Sequence, residues 1–125
     1  GGAVDTTTSY YGDRMAGYKT TEVGGAGGAR AYLKYVAQFA SGADVPSPQY
    51  GAGVVDILDY ASATKMTTVI GFGGTAVGDS YPWVALNSGL WSNTGAVDRI
   101  AISGYGYAAN LVRGTCVTLY GLNSS

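Results

Sequence analysis

Apolar and polar residues alternate with a period of two along several short stretches of the chain, which is the pattern of a strand with one buried face. In residues 99–103, Ile100 and Ile102 share a face opposite Arg99, Ala101 and Ser103; in residues 116–120, Val117 and Leu119 oppose Cys116, Thr118 and Tyr120. Together the two runs predict a C-terminal hairpin with Ile100, Ile102, Val117 and Leu119 in the core. Their connection, residues 104–114, is longer than the common hairpin loop of about two to five residues, and so predicts a surface excursion displaying Tyr105, Tyr107 and Asn110.

Upstream, residues 54–60 (VVDILDY) alternate Val55, Ile57 and Asp59 against Val54, Asp56, Leu58 and Tyr60. Residues 65–72 (KMTTVIGF) return with Met66, Thr68, Ile70 and Phe72 on one face, so a second antiparallel hairpin is expected, with Ile57, Ile70 and Phe72 in the core. Trp83, Ala85, Leu90 and Trp91 then lead into the C-terminal run, and both tryptophans read as core. Residues 6–11 form a first strand candidate by their β-branched and aromatic content, and residues 14–21 a second one, weakened by Gly17. The glycine clusters GGAGG (24–28) and GFGG (71–74) read as turns, because they lack the Lys-Ser/Thr and the βαβ setting of a phosphate loop. Residues 41–53, with Pro46 and Pro48, and residues 75–81 read as loop. Residues 30–40 (RAYLKYVAQFA) fit two patterns. Tyr32, Tyr35, Val36 and Phe39 have helical spacing, while Leu33, Tyr35 and Ala37 alternate against Lys34 and Gln38. Short strands, frequent turn signals and little helix predict an all-β fold, an antiparallel β-sandwich of jelly-roll type. Residues 1–8 are expected to form a flexible arm and residues 9–122 a single domain.

Composition narrows the function more than the fold. The chain has 125 residues, enough for one core. Charged residues make up only 12%, while there are 21 Gly and 11 Tyr. A net charge of -1, with seven scattered Lys and Arg, argues against binding nucleic acid through its phosphates. So little charge offers weak electrostatic defence against association, which predicts life in an assembly. No apolar run approaches the ~18 residues of a membrane-spanning helix, and residues 1–8 lack the charged and apolar regions of a signal peptide. The single Cys116, on an expected strand, reads as a small buried hydrophobe.

The absence of His removes the commonest general base and metal ligand, and with one Cys it removes ordinary structural zinc as well. No cofactor is implied. Asp56 and Asp59 fall on opposite faces of one expected strand and cannot jointly flank a glycosidic bond; Asp13 or Asp79 would have to complete such a pair. Asp79, Asn87 and Asp98 are oxygen donors for calcium, but no Asp-x-Asp loop gathers them. The aromatics are the stronger signal, since Tyr and Trp are enriched at interface hot spots. Tyr105, Tyr107 and Asn110 in the long loop, with Tyr10 and Tyr11 near the arm, are the expected contact surface.

Three segments in order also carry a resemblance. Residues 89–102 (GLWSNTGAVDRIAI), followed by a Gly/Asn-containing turn and a closing TLYGL, resemble a paired "GLW-NT-AI-SI-L" and "G-NF--GS---LYGI" signature in a group of tailed-phage virion proteins. Residues 5–18 (DTTTSYYGDRMAGY) resemble that family's "DTGSNYSYHRLYG" segment, and residues 54–68 (VVDILDYASATKMTT) its "FEI-I-NY-S-NYKS" segment. The family usually carries further strands before the first of these, and it has a strand followed by a long variable loop where residues 30–40 fall. The resemblance implies a non-enzymatic structural protein of the bacteriophage virion, expected as a capsid decoration or cement protein. Its expected partners are other virion proteins and copies of itself in a homo-oligomer. A receptor- or carbohydrate-binding module of a tail fibre or spike, with host glycans as partners, is the second expectation.

Overall fold

A computed structural model describes residues 5–18, 21–33, 36, 51–77, 81–104, 111 and 113–122. Its regular elements are strands: β1 (Tyr10–Tyr18), β2 (Thr21–Arg30), β3 (Gly51–Leu58), β4 (Thr67–Val77) and β5 (Tyr81–Trp91). The fold of the described residues is all-β. The strands form one five-stranded sheet in the order β2-β1-β5-β4-β3, and each neighbouring pair is antiparallel. A β1–β2 hairpin and a β3–β4–β5 meander thus meet where the first strand pairs with the last. The join is extended past the ladder by a hydrogen bond from Ser92 N to Ser9 O at 2.8 Å.

Register assigns the side chains to two faces, because successive residues point to opposite sides. Tyr10, Gly12, Arg14 and Ala16 of β1 share a face with Trp91, Gly89, Asn87, Ala85 and Trp83 of β5. Thr67, Val69, Gly71 and Gly73 of β4 and Val55 and Ile57 of β3 continue that inner face. It holds the buried positions Ala16, Thr67, Val69, Gly71, Gly73, Ala85 and Asn87. The chain between β2 and β3 has to travel from one edge of the sheet to the other, about 19 Å at the usual strand spacing. Leu33 and Val36 of this crossover line a recess over Val69, Asn87 and Gly89 of the inner face. Gly89 permits the approach: a Cβ added there would lie 2.6 Å from Leu33 Cδ2.

Several expectations are corrected. Residues 24–28 and 71–74, read as turns, lie inside β2 and β4. Ladder pairing with β1 outweighs the weak strand propensity of glycine in β2, and on the inner face of β4 the glycines take little room. Residues 6–11 and 14–21, read as two strands, give one strand, β1, with a register shift against β2 between Tyr10 and Gly12. Of residues 30–40, Arg30 closes β2, while Ala31, Tyr32, Leu33 and Val36 are in neither helix nor strand; the remainder lies outside the described residues. The C-terminal hairpin is absent from the described residues, since 92–104 and 115–122 carry no strand. Ile100, Ile102, Val117 and Leu119, expected in the core, are therefore exposed, as is Cys116.

Ile70 and Phe72 need a different correction. The alternation in β4 is as expected, but the covered face is the opposite one, so both are exposed while Thr67 and Val69 are buried. Alternation says which residues share a face; Leu33 and Val36 lie over the face that is covered. Ile57, Trp83 and Trp91 lie on the inner face and are half-buried. A single sheet stands among the described residues where two packed sheets were expected.

Candidate functional site

The outer face of the sheet exposes large apolar side chains. Met15 of β1, Leu86 of β5, Phe72 of β4 and Val54 of β3 are directly opposite one another across four strands. They are 65, 44, 57 and 65% exposed. The row on one side reads Asp13, Ser88, Ile70 and Asp56, and the next one Tyr11, Leu90, Thr68 and Leu58. On the other side Val84 lies between Gly17 and Gly74. Tyr11, Leu58, Ile70 and Val84 are exposed as well. A row of exposed apolar side chains that crosses four strands is a candidate interaction site. Its charges, at Asp13, Asp56 and Glu22, are all acidic.

Both faces carry apolar residues, and the exposed one carries large ones. Along β4 the exposed side carries Ile70 and Phe72 while the buried side carries Thr67, Val69, Gly71 and Gly73; along β5 the exposed side carries Val84 and Leu86 while the inner side carries Trp83, Ala85, Asn87 and Trp91. Apolar area removed from water stabilises by about 25 cal/mol per Å². A lone chain with this arrangement leaves part of its hydrophobic term unused. Asn87, 2% exposed, has neither its amide nitrogen nor its amide oxygen hydrogen-bonded, and the Thr67 hydroxyl is likewise buried without a partner.

The start of β1 is fastened from outside the sheet. Asp5 Oδ1 accepts from Thr7 N at 2.9 Å and from Thr7 Oγ1 at 2.6 Å, while Asp5 Oδ2 accepts from Trp91 Nε1 at 2.8 Å. Tyr10 donates its hydroxyl to Asp5 O at 3.2 Å and stacks its ring on Trp91, with centroids 6.4 Å apart. Asp5, expected to belong to a loose arm, is thus tied to β5. The Thr7 hydroxyl, then the Trp91 indole and the Thr7 backbone amide, hold the Asp5 carboxyl below its ordinary value of 3.8. At the other end of β5, the Arg14 guanidinium sits 5.3 Å from the centroid of Trp83.

Of the expected contact residues, Tyr11 lies on the outer face and Tyr10 is half-buried against Trp91, whereas Tyr105, Tyr107 and Asn110 lie outside the described residues. The carboxylates do not converge. Asp13 and Asp56 share one row but are separated by two strands, about 14 Å, beyond the ~5–9.5 Å of a glycosidase pair. Asp59, in the turn after β3 with a positive φ of 57°, pairs with Lys65 at 3.1 Å in the open, an arrangement worth little stability. Asp79 lies outside the described residues, and Asn87 is deep in the inner face, away from any calcium loop. Among the described residues, no three His, Cys, Asp or Glu side chains gather into a metal-binding group. Sequence reasoning missed Met15, Val84 and Leu86, whose signal was alternation in β1 and β5 interrupted by small and polar residues; it placed Val54 in an alternating strand without marking it as a contact. No family model matches the chain, and no curated protein or solved structure matches it either.

Proposed function

We propose that this protein is a non-catalytic structural component of a bacteriophage virion, a surface decoration or cement protein of the capsid. It acts by burying its outer sheet face against neighbouring subunits, copies of itself included. The exposed row Met15, Leu86, Phe72 and Val54 carries the reading. A face of that composition is favoured in water only when covered. Covering it after assembly stabilises the assembled state by linkage, because the partner binds the folded chain and not the unfolded one. The sparse charge of the chain and the three ordered segments that resemble phage virion proteins support the same place.

The two tryptophans a glycan platform would use are engaged within the fold: Trp91 with Asp5 and Tyr10, Trp83 with Arg14. This favours protein contact over sugar stacking. The test is the copy number of the chain in purified particles, by quantitative mass spectrometry, with its position found by cryo-electron microscopy. Hundreds of copies on the shell are expected. A handful at the tail would move the protein to a fibre or spike, and particles without it would refute the virion reading.

A further inference from the structure

The residues that alternate most clearly in the C-terminal third are the ones that the described part of the chain leaves outside any strand. In residues 96–104, Ile100 and Ile102 are 47 and 49% exposed, and in residues 115–122, Val117, Leu119, Tyr120 and Leu122 are 55, 80, 80 and 84% exposed. Val117, Leu119, Tyr120 and Leu122 are thus left largely uncovered by the rest of the chain. The same chain carries an uncovered apolar face. We propose that the two features complete each other between copies: residues 115–122 of one copy lie across the outer face of a neighbouring copy and supply the second layer over that sheet. This deepens the proposed contact function and rests on the outer face being a contact surface; it does not depend on a place in the virion.

Two observations support a second copy as the occupant. The first is reach. Eight extended residues span about 26 Å, enough to cross a five-stranded sheet whose outer strands lie about 19 Å apart. The second is chemistry. Residues 115–122 (TCVTLYGL) carry no charge, and neither does the row Met15, Leu86, Phe72 and Val54 that they would cover. Among the described residues the outer face's charges are the acids Asp13, Glu22 and Asp56, while Arg113 precedes the segment and Asp98 and Arg99 stand together before Ile100. Val117 and Leu119 point to one side of an extended chain and Tyr120 and Leu122 to the other, as in a strand buried on both faces. Exchange of an identical element between copies is a low-cost route to a symmetric oligomer.

Cys116, free and exposed at the start of the exchanged segment, supplies the test. One population keeps Cys116. A second, of different tag, carries Cys116→Ser and a single cysteine on the outer face, by Met15→Cys, Phe72→Cys or Val54→Cys in turn. Mixed at folding and oxidised gently, the two are expected to form a disulfide between differently tagged chains for at least one of the three positions. Sedimentation of the full chain, Leu119→Asp and Phe72→Asp supplies the second readout. Leu119 is solvent-facing in the single chain, so its replacement leaves the fold intact. Both variants are expected to associate about 100-fold more weakly than the parent. Absence of the mixed disulfide at all three positions overturns the proposal, as does a parent chain that stays monomeric at ~100 µM. If Phe72→Asp abolishes association and Leu119→Asp leaves it unchanged, the faces pack sheet on sheet; this overturns the exchange and keeps the contact surface. None of these outcomes depends on copy number in particles, so failure of the exchange and failure of the virion reading are separable.

Discussion

Replacing Asn87 by Val should make the protein more stable. Asn87 sits in the central strand β5, opposite Arg14 on one side and Gly71 on the other, with 2% of its surface exposed and both ends of its amide without a hydrogen-bond partner. A buried polar group left unsatisfied costs about 1–3 kcal/mol. Val removes that cost, has about the same size, and as a β-branched residue suits a central strand. Its methyl groups would meet Leu33, Val36 and Val69, which line the same recess. A stabilisation of about 2 kcal/mol is expected, taken from the middle of the desolvation range. In a domain of this size that raises the thermal midpoint by roughly 5–10 °C. Urea unfolding followed by circular dichroism gives the free energy, and the parent and variant slopes show whether the same surface is exposed. Asn87→Ala is the control: it relieves the amide but enlarges the void beneath Leu33, so the two terms oppose and the change should be small. A Val variant less stable than the parent by ~1 kcal/mol or more, with an unchanged slope, would refute the reasoning, since the amide would then have a partner in solution.

Three further outcomes follow from the same geometry. Asp5→Asn should remove an acid-dependent contribution. The folded carboxyl titrates below its ordinary 3.8, so its stabilisation is fully present above that value and is lost as pH falls through the lowered folded value. Urea midpoints measured from neutral pH to below 3.8 should therefore fall more steeply for the parent than for the variant; parallel curves would contradict the Asp5–Trp91 tie. Gly89→Ala pushes a Cβ to 2.6 Å from Leu33 Cδ2 and should cost about 1 kcal/mol by displacing that flexible side chain, with Leu33→Ala restoring most of the loss in a double-mutant cycle. Phe72→Ser should change the unfolding free energy of the dilute chain by about 1 kcal/mol or less, because Phe72 is 57% exposed, yet weaken self-association about 100-fold, as read by sedimentation. Equal association of parent and variant would remove the outer face from the contact.

Local patterning carries some of these features and not others. The β3–β4 hairpin was readable because Val55, Ile57 and Ile70 keep strict alternation on either side of a polar turn, a signal confined to neighbouring residues. The β2 strand was not readable, because Thr21–Arg30 is rich in glycine and its strand state comes from the ladder with β1. The same holds for residues 71–74, whose glycines read as a break yet continue β4 between two paired neighbours. The pairing of β1 with β5 is long-range, and the bond from Trp91 to Asp5 that secures it joins residues 86 positions apart, beyond the reach of any periodicity.

The sequence by itself determined the all-strand class, the alternation of β3 and of the start of β4, the absence of histidine chemistry and a charge content too low to discourage association. Tertiary structure alone decided which face of the sheet is covered. Alternation divides residues into two sets but is symmetric between them, and Leu33 and Val36 break that symmetry by lying over Val69, Asn87 and Gly89. That choice leaves Met15, Val54, Phe72 and Leu86 facing water, and so turns residues that would read as core into the surface on which the proposed function rests.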